Sequence, residues 1–251
     1  MPSMLSVDLN CDLGEGYPND AALMDYVSSV NIACGLHAGD DATMRATVRA
    51  AIEKGVAIGA HPSFPDRENF GRTAMRLSAD EIREIVTKQI QRLKIICDAE
   101  GGKLTHVKPH GALYNQSAKD PAVADAIAQA VRDLDGDLVL FGLSGSASID
   151  EAKRLGLRTA SEAFADRTYE RDGSLTPRTE PNALITDTRS AADQALRMVL
   201  SGNVITASGE PVAIDADTIC IHGDGEHALE FAVAIHKKLT ENGIRIGAIN
   251  G

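Results

Sequence analysis

Residues 106–116, HVKPHGALYNQ, hold more chemistry than a packed segment needs. In strand geometry alternate residues share a face. His106, Lys108 and His110 therefore line one side, two imidazoles and an ammonium where a core strand carries Val or Ile. Pro109 removes a backbone donor, Gly111 permits a sharp exit, and Tyr114 and Asn115 follow with polar ends. Imidazoles move protons near neutral pH, and an ammonium binds anions or steadies a developing oxyanion. For Lys108 the structural reading is a salt bridge to Asp8 or Glu162, and the two readings are compatible.

Similar groups recur elsewhere. Asp8, Asn10, Asp12 and Glu15 lie in or just after one apolar-alternating run. His37 and His61 end two others, Arg72 lies in the loop after His61, Ser144 follows a fourth, Glu162 a fifth, and His222 and Asp224 a sixth. Asp12, His37 and His61 could supply one carboxylate and two imidazoles to a metal with positions left for water. A hydrogen-bonded network without metal uses the same residues, and spacing leaves both open. Arg167, Arg171 and Arg178 sit in or beside a polar stretch at 166–186 and are suited to closing on an anion.

The elements that must position these groups alternate strand and helix about seven times. Strands are expected at 4–10, 56–61, 105–110, 137–147, 157–167 and 217–224, with a strand and loop at 30–40 and a terminal strand at 244–249. A helix is expected at 22–30, another after Asp40 ending at Gly55, and a long one from Ser78 to Glu100 opened by the capping box SADE. Further helices are expected at 121–134, 148–156, 191–202 and 226–243. The pattern predicts parallel strands joined by crossover helices in one domain spanning 1–251, with a functional loop at 166–186 and a small hairpin at 203–214. DLGEGYPN does not match the GxGxxG turn of a dinucleotide-binding sheet. Reactive residues at the ends of nearly every strand fit the rim of a barrel. The expected fold is α/β, a TIM-like (β/α) barrel, distorted or seven-stranded. On that barrel Lys108 and His110 face the mouth, and His106 sits about four residues deeper as a buried hydrogen bonder.

Composition narrows the partners. The 251 residues carry a formal charge of −11, with 4% aromatic residues and no Trp. That balance argues against nucleic-acid and anionic-membrane binding, which need basic footprints. No run approaches the ~18 apolar residues of a membrane span, and the N-terminus does not read as a signal peptide. The four cysteines have no CxxC spacing and suit a reducing compartment, so a cytoplasmic location is expected. There is no Walker A motif, since Gly102–Lys103 is followed by Leu104, and no GxSxG elbow.

Six stretches in order, DLNCDLGEG (8–16), NIACGLHAGD (31–40), IGAHPSFPDRENFGR (58–72), VKPHGALYN (107–115), EAFADRTY (162–169) and TICIHGD (218–224), resemble the LamB/YcsF family. Leu36 in place of Phe and RENF before Gly71 are small departures. The resemblance implies a barrel similar to glycoside hydrolase/deacetylase folds. It also implies a hydrolase role as the A subunit of an ATP-dependent 5-oxoprolinase, with subunits B and C as partners and 5-oxo-L-proline and ATP as substrates. Ring opening of a stabilised lactam near neutral pH needs ATP, because phosphorylating the lactam oxygen makes a better electrophile for water. On that reading Lys108 and Arg72 bind anionic groups and His110 or His61 handles protons. Asp12, Glu15 or Asp224 positions Mg²⁺ with the ATP phosphates or activates water. Asn10, Tyr114, Asn115, Ser144, Glu162, Arg167, Arg178 and His222 are candidates to bind substrate or nucleotide. Lys108→Ala is expected to remove activity and spare the fold. The alternatives are a stand-alone metal-dependent deacetylase or amidohydrolase using Asp12, His37 and His61, and a non-catalytic substrate-binding subunit.

Overall fold

A computed structural model describes residues 5–221 and 227–249. The expected His222 and Asp224 lie outside the described residues. In chain order, β1 (Ser6–Leu13) passes through one helical turn, α1 (Asp20–Leu23), to β2 (Ser29–Ala33). Helix α2 (Asp41–Lys54) leads to β3 (Ala57–His61), and α3 (Ala79–Ala99) to β4 (Leu104–Val107). Helices α4 (Gly111–Ser117) and α5 (Pro121–Leu134) lead to β5 (Val139–Leu143), and α6 (Ala147–Arg154) to β6 (Arg158–Phe164). After α7 (Thr188–Ser201) comes an antiparallel hairpin, β7 (Asn203–Ile205) and β8 (Pro211–Ala213). Then follow β9 (Thr218–Ile221), α8 (Ala228–Glu241) and β10 (Arg245–Ile246).

Strands β1, β2, β3, β4, β5, β6 and β9 are all parallel and pair in that order. β9 pairs back to β1, which closes a seven-stranded barrel. Closure has a chemical consequence. Thr218 is in register with Asp8 on one side and Glu162 on the other, so the first and sixth strands share one interior layer. β10 adds to the first residues of β1.

Local chemistry explains the helices. The Asp40 carboxylate accepts from the Thr43 N–H, and Gly55 ends α2 at φ 68°. Ser78 and Glu81 form a reciprocal capping box at α3, which satisfies two otherwise orphaned donors. Ile82, Val86, Ile90 and Leu93 then bury one stripe of α3 against the sheet, each contributing roughly 1.5–3 kcal/mol.

Two segments differ from the sequence expectation. Of the helix expected at 22–30, only Asp20–Leu23 forms, and Ser29 already opens β2. The hydroxyls of Ser28 and Ser29 each donate to Asp8 at 2.6 Å, so a long-range acceptor recruits this segment to the barrel. Residues 111–117, expected as a loop, form α4. Gly111 adopts φ 55°, and the Ala112 N–H is held by the Gly71 carbonyl. A helix this short is invisible to periodicity.

The stretch after β6 is long but anchored. Arg167 and Tyr169 form isolated bridges with Leu184 and Leu175. The Gln194 amide on α7 donates to the carbonyls of Phe164, Ala165 and Arg167 at 2.9–3.1 Å. The buried Arg167 guanidinium binds the carbonyls of Ala183 and Thr176 and ties the stretch to itself.

Candidate active site

Alternation along β1 sends Asp8, Asn10 and Asp12 into the barrel, and all three are buried. At the bottom, Asp8 accepts from Ser28, Ser29 and Thr218 at 2.5–2.6 Å. Burial pushes its carboxyl up from the usual range, against the pull of those three hydroxyls. One layer higher, the Asn10 amide donates to Glu162 at 2.9 Å and to Thr218 at 2.7 Å. Asn31 donates to both Asn10 and Asp12 at 2.8 Å. His106 Nε2 lies 3.0 Å from Asn31 Oδ1, and its ring stacks on Phe141 at 4.2 Å. Burial holds this imidazole down at about 3, with the Lys108 charge acting in the same direction. His106 fits only because its neighbour is Gly59, where a Cβ would come within 2.1 Å of the ring.

Lys108 crosses the barrel above this layer and is only 2% exposed. Its Nζ lies 2.9 Å from Asp12 Oδ1, 2.8 Å from Glu162 Oε1, 3.1 Å from Asn10 Oδ1 and 3.0 Å from Cys220 Sγ. Burial opposes the ammonium charge, but Asp12 and Glu162 outweigh it and hold Lys108 well above its ordinary value. The salt bridge expected from sequence therefore forms with Glu162 and with Asp12. Asp8 is instead satisfied by hydroxyls.

Three imidazoles lie at the upper end. His61 Nδ1 is 2.7 Å from the Lys108 carbonyl, and His110 Nε2 is 2.8 Å from the Phe70 carbonyl. A carbonyl only accepts, so each of these nitrogens carries the proton. When both rings are neutral, the lone pairs of His61 Nε2 and His110 Nδ1 face each other at 2.9 Å. Such a junction is repulsive until it holds a cation, either a shared proton or a metal. Asp12 Oδ2 is 3.4 Å from His61 Nε2, and Glu15 Oε1 is 3.8 Å from His110 Nδ1. Burial lowers His110 to about 3, helped by His61.

His37 approaches the same group, with Nε2 3.3 Å from Glu15 Oε1. Ligand atoms of Glu15, His37, His61 and His110 all lie within 4.8 Å of one another. Ring geometry divides them. His37 and His110 stack face to face at 3.9 Å with planes 7° apart. An imidazole lone pair lies in its ring plane, so one ion about 2.1 Å from each nitrogen cannot sit in both planes. His61 and His110 meet at 77°, which allows a shared ion. Within that cluster the donors whose planes allow one shared ion are therefore His61 and His110, with the carboxylate of Glu15. His37 shares the cluster with His61, as the sequence suggested, while Asp12 lies outside it; its Nε2 faces Glu15 and its ring stacks on His110. Phe70 and Gly71, both left-handed at φ 57° and 66°, present the Phe70 carbonyl to His110. A Cβ on Gly71 would lie 3.0 Å from both His37 and His110.

A cavity of about 610 Å³ opens onto this group. It gathers Asp12, Glu15, His61, Lys108 and His110 at its base. Arg72, Tyr114, Asn115, Arg167 and Arg178 lie on its walls, with Arg72 4.9 Å over the Phe70 ring. Asn10 and Glu162 lie behind Lys108 in the barrel interior. The Ser144 hydroxyl accepts from the Asp215 N–H, a link between loops. Sequence reasoning passed over Asn31 and Thr218, polar residues at inward strand positions whose alternation was the available signal. It also passed over Phe164 and Lys119 of the cavity wall, whereas residues 174–177 of that wall belong to the stretch expected to be a functional loop.

The comparisons fit this architecture. The chain is 54% identical over 248 residues to the A subunit of the 5-oxoprolinase of Bordetella parapertussis, covering 97% of this chain and 98% of that one. It is likewise 54% identical to the corresponding 5-oxoprolinase chain of Geobacillus kaustophilus, covering 98% and 97%. The crystal structure of a lactam utilization protein from Thermus thermophilus superposes with a TM-score of 0.93 at 45% identity, covering 98% and 100%. The peptidoglycan deacetylase PdaC of Bacillus subtilis, in its D285S mutant, shares the fold at a TM-score of 0.52 and 15% identity, covering 99% and 90%. The LamB/YcsF sequence model matches residues 7–251, and the chain belongs to the LamB/YcsF family.

Proposed function

We propose that this chain is the A subunit of a cytoplasmic, ATP-dependent 5-oxoprolinase that works with subunits B and C to open 5-oxo-L-proline to L-glutamate. The observation that carries the reading is 54% identity, over nearly the full length of both chains, to proteins named for that role. The cavity supports it. Arg72 and Arg178 on the wall bring the positive charge that a carboxylate or phosphate requires. The base presents nitrogen lone pairs to an attacking water. ATP is consumed to phosphorylate the lactam oxygen.

His61 Nε2 and His110 Nδ1 are the groups that take the proton from water. A proton gained by one lies within hydrogen-bonding distance of the other, 2.9 Å away. The same two nitrogens, with Glu15, would hold a divalent cation, which would supply Lewis-acid activation of water when bound. Lys108 keeps Asp12 and Glu162 in place beneath the reacting atoms; its ammonium is committed to them and not to a substrate anion.

The test is reconstitution. With subunits B and C, the chain should form glutamate from 5-oxo-L-proline with matching ATP hydrolysis, and leaving this chain out should abolish it. ATP-independent amide hydrolysis that a chelator removes would instead make it a stand-alone amidohydrolase.

A further inference from the structure

Phe164 and Tyr114 pack edge to face at 5.8 Å on the cavity wall, beside Leu143 and Leu175. The phenol end of Tyr114 is buried, and its hydroxyl has no hydrogen-bond partner among the described residues. Glu162 is fully buried behind it. Its Oε1 is occupied by Lys108 and Asn10, at 2.8 and 2.9 Å, but its Oε2 has no hydrogen-bond partner among the described residues. The two groups are neighbours, and the Glu162 carboxylate adds to burial in keeping the phenol protonated. Buried donors and acceptors are nearly always paired in a folded chain. With the phenol proton turned to Glu162, the lone pairs of the phenol oxygen stay uncommitted at the edge of the cavity, a place that a ligand donor can complete.

We propose that the phenol of Tyr114, backed by Glu162, recognises the ring N–H of the cyclic amide. This rests on the lactam reading of the cavity. A small turn of the hydroxyl donates its one proton to Glu162 Oε2. The oxygen lone pairs then face the cavity. The surrounding wall is apolar, from Leu143, Phe164 and Leu175, and suits the methylene groups of a small ring. One acceptor in such a wall selects a ring bearing N–H over the same ring bearing oxygen, whose lone pairs would face those of the phenol. The site would thereby discriminate a lactam from a lactone of identical shape. Tyr114 sits one helical turn beyond His110 on α4, so the same segment would place the amide and carry one of the two facing imidazole nitrogens.

The test compares wild type with Tyr114→Phe. Calorimetry on the full chain measures binding of 5-oxo-L-proline and of its lactone isostere, with ring oxygen in place of N–H. Thermal melts are recorded without ligand. Wild type should favour the lactam by about tenfold or more, the size of one lost hydrogen bond. The variant should bind both alike, through loss of lactam affinity alone, and its Tm should fall by only a few degrees, the loss of one hydrogen bond to Glu162. The assignment is overturned if wild type shows no preference or no binding, or if the variant keeps the wild-type ratio. A larger fall in Tm with both ligands weakened equally would make Tyr114 structural and would overturn it too. Turnover by the reconstituted wild-type complex is measured in parallel. If that complex makes no glutamate, the lactam reading itself falls; if it turns over, the outcomes above concern Tyr114 alone.

Discussion

Lys108→Met removes one charge from the centre of the barrel and keeps nearly the same volume. In the native chain the ammonium is 2% exposed, with carboxylate oxygens at 2.9 and 2.8 Å on opposite sides. At an effective dielectric of 20 each contact is worth about 6 kcal/mol of Coulomb attraction, most of it offset by the cost of taking three charges out of water. The variant keeps the desolvation cost of Asp12 and Glu162 and loses the compensation. Breaking a buried pair in this way costs about 3–5 kcal/mol. For a chain of 251 residues that lowers Tm by roughly 6–20 °C. The sequence-level expectation that Lys108→Ala spares the fold is revised on this argument. The sign of the pH dependence follows from the raised Lys108 value. Its contribution is fully present below the unfolded value of 10.5 and is lost only as pH rises through the folded one, so wild type keeps it across the neutral range. The variant should recover stability relative to wild type as pH falls, because a protonated carboxyl no longer needs a cation. Lys108→Met/Glu162→Gln should be less destabilised than the sum of the singles. The assay is thermal and urea unfolding by circular dichroism at pH 7 and pH 5. A Lys108→Met variant within about 1 kcal/mol of wild type at pH 7 would refute the claim that these ion pairs hold the barrel interior.

Three further predictions follow from the same interior. Cobalt titrated into the full chain should give a visible d–d spectrum that His61→Ala and His110→Ala abolish and His37→Ala retains; loss in the His37 variant as well would restore His37 as a ligand. The folded-state values of His106 and His110, both about 3, lie below the unfolded 6.5, so the unfolded chain binds more protons in that window. Stability should be present above pH 6.5 and decline as pH falls towards 3, and His106→Asn should flatten the slope of unfolding free energy against pH by up to one proton. Gly59→Ala would place a methyl 2.1 Å from His106 Nε2, and the forced displacement should cost about 1–3 kcal/mol in urea unfolding.

What could be read from the residues was what depends on near neighbours. The Ser78–Glu81 capping box, the Asp40 cap and the Gly55 stop specify α2 and α3 within a few positions of themselves. Alternation in the run at 4–10 placed Asp8 and Asn10 on one face before any fold was known, and the longer β1, reaching Leu13, adds Asp12 to it. Reactive residues at strand ends pointed to a barrel, because a closed sheet gathers every strand end on one rim. The short helix α4 was not legible, because seven residues hold too little periodicity and its first turn depends on the carbonyl of Gly71, forty residues earlier in the chain. The edge of β2 was misread as helix for a similar reason, since Ser28 and Ser29 answer to Asp8.

The candidate site divides along the same line. His61, His110, Asp12 and Glu15 are chemically suggestive wherever they fall, and the sequence by itself determined that imidazoles and carboxylates would meet on a barrel rim. Only the tertiary structure decided which nitrogen of each ring is free. That depends on two backbone carbonyls, at Lys108 and Phe70, supplied by distant segments. Only the tertiary structure stacked His37 on His110 and so set it apart from the metal-competent pair. Closure of β9 onto β1 brought Glu162 to Lys108, turning a candidate anion binder into the cation of a buried network. Pattern and propensity act over a few residues, whereas tautomer, ring plane and charge partner are properties of contacts between strands that the register of a closed barrel alone defines.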